Sequence, residues 1–119
     1  MPPADSRIRV KRQDAITVVE FIDRNILDEA NINMIKDDLL RLVDAEQSPR
    51  LLISFANVEH LSSAALGALI TVNNRIKSRT GQLRLSNIDP QIYDVFVITR
   101  LNKLFEIHQT SAEAIKSFT

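Results

Sequence analysis

His60, Ser62 and Ser63 are the side chains this sequence offers for chemistry, set in the run Val58-Glu59-His60-Leu61-Ser62-Ser63-Ala64-Ala65-Leu66-Gly67. A serine hydroxyl in such a run can be a nucleophile, a helix cap or an acceptor of a phosphoryl group, and the neighbours decide between these. Nucleophilic catalysis needs a base, a third group that orients the base, and an oxyanion site. No Gly-x-Ser-x-Gly turn surrounds the pair, so a hydrolase built on Ser63 and His60 is the least supported reading and His60 reads as a loop histidine. Capping asks less: the hydroxyl accepts a bond from one of the first free amides of the following helix, and its loss costs about 1 kcal/mol. The same amides, with the helix dipole behind them, also favour a bound or covalent phosphate. By this reasoning Ser62 or Ser63 is either a cap or a switch.

Other chemistries have little footing. There is no cysteine, which removes disulfides, thiolate metal sites and a thiol nucleophile together. With only two glycines the chain has no Gly-rich phosphate loop, so it is not expected to use ATP itself. His108 has no acidic or histidine companion at metal spacing and reads as an exposed strand residue; no metal or cofactor is expected. Asp37-Asp38 reads as the solvated face of a helix. The 15 basic and 15 acidic residues cancel, and the cluster Arg75, Lys77, Arg79 with Arg84 lacks interleaved aromatics, so nucleic acid is not expected as a partner. No apolar run approaches the roughly 20 residues that span a bilayer, and Met1-Pro2-Pro3-Ala4-Asp5-Ser6-Arg7 lacks the apolar centre of a signal peptide. A cytoplasmic protein without membrane insertion is expected.

The elements that must position the serines follow from periodicity. Leu51-Leu52-Ile53-Ser54-Phe55 is a short apolar run of the kind buried on both faces of a sheet. After the serines, Ala65, Ala68, Leu69, Val72 and Ile76 share one helix face, while Gly67, Thr71, Asn74 and Ser78 form a second, small and polar one. Another chain's backbone could come close to that second face. Upstream, residues 1–7 read as a flexible lead and 8–119 as a single domain. Ile8 to Lys11 and Ile16 to Phe21 predict a hairpin. A first helix is predicted from about Asp28 to Ala45, with Ile32, Ile35, Leu39, Leu42 and Val43 toward the sheet, and Pro49 closes that region.

Beyond the serine helix, Thr80-Gly81 signals a stop and turn, and Leu83-Arg84-Leu85 begins a strand, parallel to its predecessor by the default of the strand-helix-strand unit. Asp89-Pro90 opens another helix with the stripe Ile92, Val95, Phe96 and Thr99. Leu101, Leu104 and Phe105 cover one end of the core, Phe105 to His108 is a candidate edge strand, and Thr110 or Ser111 caps a last helix from Ala112 to Phe118, lying loosely on the surface. The pattern is α/β: a mixed sheet of about five strands with about four helices packed mainly on one face.

The serine run resembles the signature of STAS domains, and within them of the bacterial anti-sigma factor antagonists. That signature is an apolar strand, a short loop and Asp-Ser-Ser/Thr-Gly-Leu-Gly opening a helix, with the serine after the Asp phosphorylated by the partner kinase. With Leu66-Gly67 in register, Ser63 takes the place of the phosphoacceptor, Ser62 that of the Asp, Ala64 that of the second hydroxyl and Ala65 that of the first glycine. Were the register shifted, Ser62 would be the acceptor. The family's turn before its first helix often carries a second Asp near the serine, a position that aligns with Ile26 here. The resemblance extends from Ile8 onward and includes Asp89 to Phe105, similar to the family's penultimate helix and the Leu-x-x-Leu-Phe turn after it.

The resemblance implies a STAS-like fold and a non-enzymatic regulator that binds an anti-sigma factor, itself a serine kinase, and leaves it on phosphorylation. It implies Ser62, Ala64, Gly67, Thr71 and Asn74 as partner contacts, ATP held by the kinase, a serine phosphatase to reverse the modification, and a monomer or weak dimer. The missing Asp at Ser62 and Ile26 keeps an alternative open: a non-switching STAS subunit of a stressosome-like scaffold or a transporter.

Overall fold

The computed structural model describes residues 7–118. The hairpin forms from β1 (Ile8–Gln13) and β2 (Ile16–Phe21), antiparallel with Gln13 opposite Ile16. The two residues between them turn with Asp14 at φ 56, a left-handed conformation that a short polar side chain tolerates. β2 then pairs in parallel with β4 (Arg50–Ser54), β4 with β6 (Gln82–Ser86) and β6 with β7 (Glu106–His108). The result is a five-stranded mixed sheet in the order β1-β2-β4-β6-β7, with the edge strand at Glu106–His108 where the apolar pattern puts it. Arg7, counted with the lead, is tied in: its carbonyl accepts from the Ile22 amide at 3.1 Å. The rest of the predicted lead lies outside the described residues.

Each crossover carries a helix: α1 (Glu29–Asp44), α2 (Ser63–Ser78), and α3 (Pro90–Ile98) with a 3-10 turn at Leu101–Lys103. Strand alternation sorts the core into two layers. Val19, Phe21, Leu51, Ile53, Leu83 and Leu85 point to the α1–α3 side, where Ile35, Leu39, Val72, Ile76 and Phe96 meet them. Ile16, Val18 and Leu52 point to the other side.

That other side corrects the expectation of a loose last helix. α4 (Ser111–Ser117) lies across it, with Ala114 0% exposed against the Ile16–Val18–Leu52 layer and Phe118 beside it. The Arg84 guanidinium stands 5.1 Å from the Phe118 ring centroid and donates from Nε to Ser117 Oγ at 3.0 Å. Arg84 also pairs with Glu106, which hydrogen-bonds His108 at 2.8 Å. Glu106 is subject to a burial effect that would raise its pKa, but the bond from His108 and the charge of Arg84 outweigh it and hold the carboxyl below its ordinary value. His108 is therefore half-buried with an acidic companion two residues away, rather than a bare exposed residue.

Two further readings are corrected. Asp38 is buried and paired with Arg41, one turn away, so only Asp37 of that pair lies on a solvated face. In α3 only Ile92 and Phe96 are buried; Val95 and Thr99 of the predicted stripe are exposed. The basic cluster is divided as well: Arg75 pairs with Asp44 at 2.7 Å and Arg79 binds the Glu46 carbonyl, both fastening α2 to α1, whereas Arg84 serves the opposite face.

Candidate functional site

Ser62, with an extended backbone, is the N-cap of α2: its Oγ accepts a hydrogen bond from the Ala65 amide at 3.3 Å. Ser63 is the first residue of the helix and is exposed, and its hydroxyl has no hydrogen-bond partner among the described residues. Of the two serines that could cap the helix, Ser62 is the one that does. A hydroxyl at the first helical position sits beside the unpaired amides and the positive end of the helix dipole, and here it is free to be approached.

A second, two-stranded ladder that the sequence did not reveal fixes the segment before the cap. β3 (Asn25–Ile26) pairs in parallel with β5 (His60–Leu61), and the Ser62 amide donates to the Ile26 carbonyl at 3.1 Å. The turn before α1 therefore does lie against the serine segment. Its position 26, however, turns the side chain inward: Ile26 is buried among the core residues, where an unpaired carboxylate would forfeit its hydration. The acidic residue that follows, Asp28, caps α1 through the Asn31 amide at 3.0 Å.

His60 is exposed on β5, and no hydrogen bond joins its ring to either serine among the described residues. The described residues also hold no group of three or more His, Cys, Asp or Glu placed to bind a metal ion. Ala64, Gly67, Thr71 and Asn74 are all exposed on one side of α2, with the Thr71 hydroxyl donating to the Gly67 carbonyl at 3.2 Å. A groove of about 340 Å3 lies before the helix entrance, lined by Leu27, Glu59, His60, Leu61, Ile92 and Val95. Leu27 is 55% exposed and was not singled out from sequence. The readable signal was in α3, whose composition is apolar nearly all round although one short helix can bury only one stripe.

A mixed sheet with three crossover helices on one face, a fourth on the other, and a hydroxyl pair opening the second helix define an α/β domain of known type. The STAS domain family model matches residues 7–114, and the chain belongs to that family. It is 22% identical over 95 residues to BtrV of Bordetella bronchiseptica, named as an anti-sigma factor antagonist, covering 80% of this chain and 81% of that protein. The structure of an anti-sigma factor antagonist (STAS) domain protein from Planctomyces limnophilus superposes with a TM-score of 0.84 at 25% identity, covering 92% of this chain and 96% of that one. The Bacillus cell fate determinant SpoIIAA, in its phosphorylated form, shares the fold with a TM-score of 0.67 at 17% identity, covering 92% and 96%. The protein is an anti-sigma factor antagonist-like STAS domain. Among the described residues no helix is long and apolar enough to cross a membrane.

Proposed function

We propose that this protein is a cytoplasmic anti-sigma factor antagonist switched at Ser63: unphosphorylated it binds an anti-sigma factor that is also a serine kinase, and phosphorylation releases it. The observation that carries the reading is the division of labour at the helix entrance, with Ser62 engaged as cap and Ser63 exposed with an uncommitted hydroxyl. In the kinase reaction Ser63 Oγ attacks the γ-phosphorus of ATP held by the partner. The Oγ–P bond forms, the bond to the bridging oxygen of ADP breaks, and the hydroxyl proton leaves to a base on the kinase. The product carries about −1.5 to −2 charges at a helix N-terminus, where the dipole accommodates them, so the fold survives. The docking face does not. A partner seated across Ala64, Gly67, Thr71 and Asn74 would have to desolvate a dianion at its edge.

Ser62 as acceptor is disfavoured because phosphorylation there would use the oxygen that caps Ala65. The test is intact mass and peptide mapping of the protein from its native cells under phosphatase inhibition. The expected result is one phosphate on Ser63, absent in Ser63→Ala, with Ser63→Asp no longer retaining the co-purifying kinase. A phosphate on Ser62 would keep the function and move the site.

One observation favours a second reading, a non-switching subunit of a larger assembly. Tyr93, Val97 and Ile98 are exposed on α3, Ile98 by 79%. A chain that is never phosphorylated and always sediments as part of one large complex would replace the switch with that role.

A further inference from the structure

Arg24 and Glu59 bring opposite charges to one cavity without neutralising each other. The amides of Glu59 and His60 both donate to the Arg24 carbonyl, at 2.7 and 3.2 Å, which holds the two residues side by side at the backbone. Their side chains nonetheless form no ion pair or hydrogen bond among the described residues. Both line a cavity of about 550 Å3 beyond the carboxyl ends of β4 and β6, together with Asn57, Asn87, Ile88 and Asp89. That volume falls in the range of small-ligand sites.

The hydrogen bonds already made in the wall decide what a ligand must offer. Asn57 donates its Nδ2 to the Phe21 carbonyl at 3.4 Å, so its Oδ1 is left as an acceptor. Asn87 accepts at Oδ1 from the Ser54 and Ser111 hydroxyls, at 3.3 and 2.8 Å, so its Nδ2 is left as a donor. Asp89 is engaged in capping α3, its Oδ1 accepting from the Gln91 amide at 2.9 Å. The uncommitted groups are thus two donors, the Arg24 guanidinium and the Asn87 amide, and three acceptors, the Glu59 carboxylate, the second carboxylate oxygen of Asp89 and the Asn57 side-chain carbonyl. Asn87 holds φ 59, a left-handed backbone that costs energy in a non-glycine residue and that its two serine partners help to fix. Half-buried Ile88 supplies an apolar wall.

We propose that this cavity binds a free α-amino acid with an apolar side chain. Its carboxylate faces Arg24 and the Asn87 amide, its ammonium faces Glu59 and the Asn57 carbonyl, and its side chain lies along Ile88. A group of one charge alone would leave either the guanidinium or the carboxylates of the wall unpaired. The site is separate from Ser63 and its occupancy does not depend on phosphorylation, although the chain from Glu59 runs through β5 directly into the Ser62 cap.

The test is an amide NMR titration of the full unphosphorylated chain with leucine, beside acetate and methylamine as the two half-ligands. Leucine is expected to move the amides of Asn57, Glu59 and Asn87 saturably, and each half-ligand to bind at least about tenfold more weakly. Arg24→Gln and Glu59→Gln, both exposed positions, are each expected to weaken leucine about tenfold while the remaining spectrum is unchanged. The proposal is overturned if leucine and the other apolar amino acids leave these amides unmoved, if acetate alone binds as well as leucine, or if both variants bind as wild type. None of these readouts involves a kinase, so the failure of this site and of the Ser63 switch would be told apart.

Discussion

At the scale of single residues, capping and the phosphate acceptance proposed above are two duties that one hydroxyl cannot perform together, since a cap oxygen must point back at the helix and an acceptor oxygen must point out. The structure gives the first duty to Ser62 and leaves Ser63 exposed. Removing a serine cap costs about 1 kcal/mol, while alanine at the first helical position costs a few tenths at most. In urea unfolding, Ser62→Ala is therefore expected to lower stability by about 1 kcal/mol and Ser63→Ala to leave it nearly unchanged. The reverse order would put the cap at Ser63. Ser62→Asp should restore the lost stability, since aspartate caps as well as serine. Ser62 thus supplies the cap that an aspartate at this position would supply, and lacks only its charge. The hydroxyl pair was legible in the sequence, but which member caps was not, because a shift of one residue in the helix start exchanges their roles and local composition does not fix the start that closely.

At the scale of the element, the chain's two glycines lie near the two ends of α2 for different reasons. Gly67 is inside the helix and exposed, and a Cβ there would meet nothing within 4 Å. Nothing in the free protein needs it, and glycine in a helix interior costs about 1 kcal/mol relative to alanine. Gly67→Ala is thus expected to raise the urea midpoint, by about 0.5 to 1 kcal/mol of stability, and to weaken binding of the proposed kinase partner if that partner's backbone packs on this face. Higher stability with undiminished binding would remove Gly67 from the docking surface. Gly81 is the opposite case. The sequence suggests a helix stop at Thr80-Gly81, and the left-handed residue is Thr80, at φ 53, while neither glycine has positive φ. What Gly81 provides is space: a Cβ would lie 2.4 Å from the Pro49 carbonyl oxygen, the same oxygen that accepts from the Gln82 amide at 2.8 Å. Gly81→Ala must push apart the start of β6 and the residue before β4, and is expected to lower stability by about 1 to 3 kcal/mol. The local pattern marked the turn correctly and missed its cause, which lies in a residue far away in sequence.

At the scale of the whole molecule, the elements read from periodicity were those whose apolar pattern is set by their own burial. The doubly buried run Leu51 to Phe55, the α1 stripe and the Asp89-Pro90 helix start all stand as the sequence implies, as does the parallel crossover between β4 and β6. The β3–β5 ladder was not legible because two residues per strand are too few to show a period, and it exists only because the fold brings two loops together. The same limit applied to α4. Its seven residues carry too little apolar pattern to show a buried side, yet the layer of Ile16, Val18 and Leu52 beneath it has no other cover among the described elements. A sheet with helices on one face only would leave that layer in water, so α4 is a structural part of the domain and its anchor is Ala114. An aspartate there would place a carboxylate against Val18 and Leu52 with no partner provided. Ala114→Asp is therefore expected to destabilise the chain by more than about 2 kcal/mol and to uncover the back layer, read as a lower urea midpoint with increased binding of a hydrophobic dye. The exposed Ala112 is the control: Ala112→Asp adds the same charge to the first turn of the same helix, where the dipole favours it, and should leave the midpoint unchanged or slightly raised. Equal behaviour of the two variants would mean that α4 rests loosely on the sheet, and that the back face is held by something other than this helix.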